Sequence, residues 1–267
     1  MTSEILLFEA CKDGNYDTVK SLVCCCTNVN VRNINGDTPL HIACDNGHYG
    51  IAKILIYHGA DVNLTNDNIR LNSPLHVACT YGHYDIAKML IYHNANIDGK
   101  MIRNSTPLHL ACMYGHYEVV KLLIHHNAKI CEENDYGYTP FHDACYMGHY
   151  SVVKLLIENG MNVDYKNKYG VTPLYTTCGS GGYECHKIAK LLIYHGAKIN
   201  AKTNKGLTPL MIAQECKNIS QKNRFAQKND FDDIIQLLEN EMKKRIYILS
   251  LIVNYDVMKH YIIRKID

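Results

Sequence analysis

Apolar positions along this chain fall into pairs of short runs separated by polar breaks rich in Gly and Asn. In "TPLHLACMYGHYEVVKLLIHHNAKI" (Thr106 to Ile130), a short run from Pro107 ends at Gly115, and a second follows at once. The second run places Val119, Val120, Leu122, Leu123 and Ile124 on one broad face, which predicts an amphipathic helix from about Glu118 to His126. Thr-Pro at the start of the first run reads as an N-cap with proline in the first helical position. Asn127, or Gly59, Gly160 and Gly196 in sister segments, supplies the left-handed residue that ends the second helix.

The pattern repeats. Runs of this kind begin at Thr38, Ser73, Thr106, Thr139, Thr172 and Thr208, so successive starts differ by 35, 33, 33, 33 and 36 residues. One helix pair cannot bury both of its faces, so such units must stack on one another. "ILLFEACKDGNYDTVKSLV" (Ile5 to Val23) fits a degenerate first unit. The expected fold class is therefore all-α, with about seven stacked helix-turn-helix units.

The period and the repeated "TPLH" followed by Ala-Cys strongly resemble the ankyrin repeat, whose signature is T-P-L-H-x-A. The resemblance covers residues 3 to 213 and implies an ankyrin-repeat solenoid with β-hairpin loops between units. It divides the chain into an N-terminal capping repeat (1–33), repeats starting near 34, 68, 102, 135, 168 and 204 (34–213), and an interrupted last repeat with a C-terminal helical cap (214–267). Three departures stand out. "NDNIRLN" (66–72) lengthens one hairpin finger by two residues, and "GSGGYECH" lengthens the sixth unit by three, which also has Tyr175 in place of His. The seventh unit breaks after "TPLMIAQEC"; "KNISQKNRFAQKND" (217–230) reads as an exposed polar loop, followed by a closing helix from Phe231.

Composition adds limits. Net charge is +2, with 47% hydrophobic and 20% charged residues, a soluble globular balance that predicts neither nucleic-acid nor membrane attraction. No run approaches the roughly 20 apolar residues of a membrane span, and the N-terminus does not read as a signal peptide. A reducing cytoplasmic setting is expected for the twelve cysteines. The Asn-, Ile- and Lys-rich loops fit an AT-rich genome such as a large DNA virus or a protist, in which case the setting is the host cytoplasm.

Four His-x-x-Cys pairs (His41/Cys44, His76/Cys79, His109/Cys112, His142/Cys145) pose the question of a metal or a nucleophile. An active site needs one asymmetric constellation, whereas these pairs occur once per unit. Packed helices lie about 8–10 Å apart and Zn–S bonds are about 2.3 Å, so neighbouring units cannot readily pool ligands. The pairs read as scaffold: in the ankyrin family these Thr and His side chains hydrogen-bond within and between repeats, and Cys fills a small buried site. The "GHY" triplets read as structural too. Cys24-Cys25-Cys26 leaves a redox or metal role open as an alternative. No catalytic residue, metal site or cofactor is expected.

Function is then expected where the framework leaves positions free. Ankyrin arrays generally bind through hairpin tips and the concave face of the first helices, and the resemblance places there the residues after Ala-Cys. These are Asp45 and Asn46, Thr80 and Tyr81, Met113 and Tyr114, and Tyr146 and Met147; the tips add Tyr138 alongside Asp37, Asn72 and Ser105. Tyr81, Met113, Tyr114, Tyr138, Tyr146 and Met147 form an expected contiguous stripe of interface-type residues. The expectation is a monomeric, non-catalytic interaction scaffold or adaptor with a protein partner, and with no nucleic acid or membrane. The apolar ending from Arg245, with Ile246, Ile248, Leu249 and Ile252, is expected to cap the last repeat. The alternative is a docking helix that recruits a ubiquitin ligase, although no Leu-Pro start of an F-box-like segment is present.

Overall fold

The structure is a computed structural model that describes residues 3–25, 28–66, 71–182, 184–222 and 231–266. Cys26, residues 67–70 of the long finger, Tyr183 and residues 223–230 lie outside the described part. The chain divides into two compact units, Met1–Asn162 and Val163–Asp267.

The first unit holds five helix pairs: α1 (Ser3–Asp13) and α2 (Tyr16–Cys24), α3 (Pro39–Asp45) and α4 (Tyr49–Tyr57), α5 (Pro74–Tyr81) and α6 (Tyr84–Tyr92), α7 (Pro107–Met113) and α8 (Tyr117–His125), α9 (Pro140–Met147) and α10 (Tyr150–Glu158). First helices stack on first helices in the order α1, α3, α5, α7, α9, and second helices stack in the order α2, α4, α6, α8, α10. Their shared core is the repeated apolar set. Leu40, Leu75, Leu108 and Phe141 are fully buried, as are Leu55, Leu90, Leu123 and Leu156 one helix later. Each such side chain contributes roughly 1.5–3 kcal/mol of burial.

The first helices start where Thr-Pro predicts. In α3, α5, α7 and α9 the Thr or Ser hydroxyl accepts from the backbone N–H three residues on, and the His at that position accepts from the cap's own N–H, a reciprocal capping box. The second helices end at left-handed residues, including Asn127 (φ 62°) and Gly160 (φ 84°).

Among the described residues no strand is formed, so the β-hairpins expected between units are reduced to turns. In the tip before α9, Asn134 N–H donates to the Tyr138 carbonyl (2.9 Å) and Gly137 N–H to that of Asn134 (2.8 Å). The Asn134 Oδ1 accepts from the N–H groups of Tyr136 and Tyr138 (3.0 Å each). Five residues held by their own Asn leave no length for a ladder. Neighbouring tips still touch, since Asp135 N–H donates to the Arg103 carbonyl (2.9 Å).

The second unit holds α11 (Pro173–Ser180), α12 (Cys185–Tyr194), α13 (Pro209–Lys222) and α14 (Phe231–Ile266). Two expectations are corrected here. The polar segment from Lys217 does not open a loop: α13 runs on to Lys222, because no Gly or Pro between Pro209 and Lys222 stops it. The apolar ending also divides. Phe231, Ile234 and Leu238 at the start of α14 are buried, and α14 packs on α12 and α13 as the missing second helix. Ile246, Ile248, Leu249 and Ile252 stand exposed instead, each more than half open to solvent. The side chains beyond Ile252 lie outside the described part.

Candidate protein-binding cleft

The repeated histidines are consumed by the frame. His109 Nδ1 lies 2.9 Å from the Thr106 hydroxyl and accepts from the Thr106 N–H. With Nδ1 accepting, Nε2–H donates to the Tyr138 carbonyl in the next tip (3.1 Å). His41 reaches Asn72 (2.9 Å) and His76 reaches Gly99 (3.0 Å) in the same way. Burial lowers all three histidines from their ordinary value, His76 and His109 to about 4, and holds the neutral ring that this tautomer requires. Burial likewise raises Cys44, Cys79, Cys112 and Cys178, the opposite of what a nucleophile needs.

The Gly-His pairs form a second latch. His116 Nε2 lies 2.9 Å from the Thr80 carbonyl and His149 Nε2 the same distance from that of Met113, each 36 residues back. The rings lie over Gly82 and Gly115; a Cβ on Gly115, whose φ is +74°, would meet the His149 ring at 2.5 Å. Among the described residues, no group of three or more His, Cys, Asp or Glu is placed to hold a metal. Cys24 and Cys25 are exposed, and their neighbour Cys26 lies outside the described part.

What remains is a cleft of about 710 Å³ along α7 and α9 and their tips. It gathers Met113, Tyr114, Tyr138 and Tyr146 of the expected stripe, together with Thr80. Asp45 and Tyr81 line a neighbouring cleft of about 410 Å³, which shares Thr80 and Asn72 with the first. Asn46 and Met147 are exposed but line neither. Asn46 closes the end of α3, its side-chain amide donating to the Ile42 carbonyl (2.9 Å). Tyr81 and Tyr114 stack on His83 and His116 at 6.1 and 6.3 Å between centroids, yet about half of each tyrosine stays open.

Among the lining residues that the sequence pattern did not point to, Arg103, Tyr136 and Asp143 carry charge or an aromatic face. Arg103 and Tyr136 come from adjacent tips and meet in a cation–π contact, the guanidinium 5.1 Å from the ring centroid. Their spacing of 33 residues was the available signal. The third is Asp143 on α9. It is 7% exposed, it lines the cleft, and its Oδ2 accepts no hydrogen bond among the described residues. Burial pushes its carboxyl up to about 7. The available signal was the register, which holds Ile42, Val77 and Leu110 in α3, α5 and α7 and Thr176 in α11, none of them charged.

Comparison with known proteins follows this geometry. The profile for ankyrin repeats matches three times, over residues 7–101, 94–167 and 160–223. Human protein phosphatase 1 regulatory subunit 27 is 47% identical over 62 residues, which are 23% of this chain and 40% of that protein. Alpha-latrocrustotoxin-Lt1a of Latrodectus tredecimguttatus is 50% identical over 62 residues, 4% of its length. The chain thus spans two fifths or less of these two relatives. The crystal structure of the human ASB11 ankyrin repeat domain superposes with a TM-score of 0.72 at 27% identity, covering 87% of this chain and 96% of that one.

Proposed function

The chain belongs to the ankyrin repeat family, and from that premise we propose that it is a non-catalytic adaptor whose protein partner seats in the cleft along α7 and α9. The observation that carries this reading is the contrast between frame and cleft. The His and Thr groups of the frame are bonded internally, while Tyr114 and Tyr146 and the half-buried Met113 face an open cleft. Tyr anchors and adaptable Met are the residue types that carry binding energy at protein interfaces. A regulatory subunit among the relatives supports a binding role over catalysis. Among the described residues no helix is long and apolar enough to cross a membrane.

A second reading has its own observation. The exposed face of Ile246, Ile248, Leu249 and Ile252 on α14 is a surface a second protein could cover, as an adaptor recruiting a ubiquitin ligase would require. Affinity capture from eukaryotic cytosol, read by mass spectrometry, tests both. A partner lost from Tyr81/Tyr114/Tyr146→Ala but kept by Ile248/Leu249/Ile252→Ser supports the cleft. Loss confined to the serine variant moves the function to α14. Partners indifferent to both sets of changes sink the proposal.

A further inference from the structure

We infer that Asp143 is the anchor for an arginine side chain of the protein partner. The inference rests on the reading of the cleft as a protein-binding surface and adds the chemistry of what enters it. A carboxylate at this place is costly to the fold. In the same register α3, α5 and α7 carry Ile42, Val77 and Leu110, and α11 carries Thr176; none bears a charge. A buried carboxylate oxygen with no partner loses its hydration and receives nothing in exchange. Asp143 is in that condition: its Oδ2 is buried and unpaired, and the residue lines the cleft.

The surroundings select the cation. Tyr114, Tyr138 and Tyr146 line the same cleft, and aromatic faces favour a guanidinium, which stacks and is weakly hydrated, over a strongly hydrated ammonium. The cleft already holds one such guanidinium contact, Arg103 over the Tyr136 ring. A partner arginine would approach the carboxylate from the cleft and lie against the tyrosines on the way. Burial also holds the carboxyl at about 7, so the arriving cation completes its ionisation, which the empty cleft opposes.

The test is selection from a displayed library of random linear peptides on the full chain, on Tyr81/Tyr114/Tyr146→Ala, and on Asp143→Leu and Asp143→Asn. Leucine is the residue α7 already carries in this register, and asparagine keeps the shape, so circular dichroism should show both variants folded. The expected result is enrichment of arginine at one position among peptides that the tyrosine variant fails to bind. Asp143→Leu and Asp143→Asn should lose that enrichment. Replacing the selected arginine by citrulline should weaken binding to the wild type by roughly tenfold or more and leave binding to Asp143→Leu unchanged. Tyrosine-dependent peptides without arginine, or arginine retained on Asp143→Leu, would overturn the inference and leave the cleft as a protein-binding surface. Absence of any tyrosine-dependent peptide would overturn both.

Discussion

Helices α7 and α9 share a frame and differ at one buried position. Each begins with a threonine 2.9 Å from its own histidine ring, and each ends its buried stripe with a fully buried cysteine. Between these fixed points α7 carries Leu110 and α9 carries Asp143, both more than nine-tenths buried. The leucine is an ordinary core contribution. The carboxylate weakens the fold, and a repeat protein can tolerate that because stability is a sum over units and neighbouring interfaces. The difference separates residues kept for folding from those that folding alone would replace.

Acid unfolding is expected to show the largest effect. His76 and His109 are lowered to about 4 in the folded state, against an ordinary value of 6.5. A lowered histidine is charged in the unfolded chain and neutral in the folded one between those values, so its contribution is complete above pH 6.5 and is lost as pH falls toward 4. The loss is roughly 3 kcal/mol for each ring. Asp143 runs the other way: with its carboxyl raised to about 7, its penalty is full above pH 7 and fades as pH falls toward 4. Urea titrations across this range should therefore show a steeper acid loss for Asp143→Leu than for the wild type. Parallel profiles would break the contrast between the two helices.

Next in size is His109→Ala, which removes a ring, takes one of two donors from the Tyr138 carbonyl, strips the Thr106 N–H of its ring acceptor and opens a cavity, for a cost of about 4 kcal/mol in chemical denaturation. Gly115→Ala should cost about 2 kcal/mol, because a left-handed φ and the His149 ring both oppose the methyl group. Tyr114→Ala is expected to cost less than about 1 kcal/mol of stability, since half of its surface is already open. Its effect belongs in partner affinity. A stability loss as large as that of His109→Ala would return Tyr114 to the frame.

Much of this arrangement was legible in the chain. Thr-Pro fixed the helix starts through a hydrogen bond three residues away, and Gly and Asn marked the ends, so local chemistry alone located α3 to α11. Where local chemistry ran out, the reading failed. Polar composition after Cys216 resembled a loop, but Lys217 to Lys222 continue α13, and residues 223–230 lie outside the described part. The apolar run at Ile246 to Ile252 resembled a cap, but burial depends on what α14 meets, and Phe231, Ile234 and Leu238 already occupy that role. The cleft was half legible. Residues after Ala-Cys were found because the register is fixed, whereas Arg103 and Tyr136 required knowing that neighbouring tips bring their side chains together. Asp143 is visible in the sequence as an acid where α3, α5 and α7 hold Ile42, Val77 and Leu110, but its burial and unpaired Oδ2 are not.

The most direct measurement is the unfolding free energy of Asp143→Leu beside the wild type at pH 8, with affinity for a cleft-dependent ligand measured on the same samples. Stability should rise by roughly 3 kcal/mol as the unpaired carboxylate is removed, while affinity falls. A variant that is less stable, or that binds as the wild type does, would show that Asp143 belongs to the frame and contradict the division drawn here between α7 and α9.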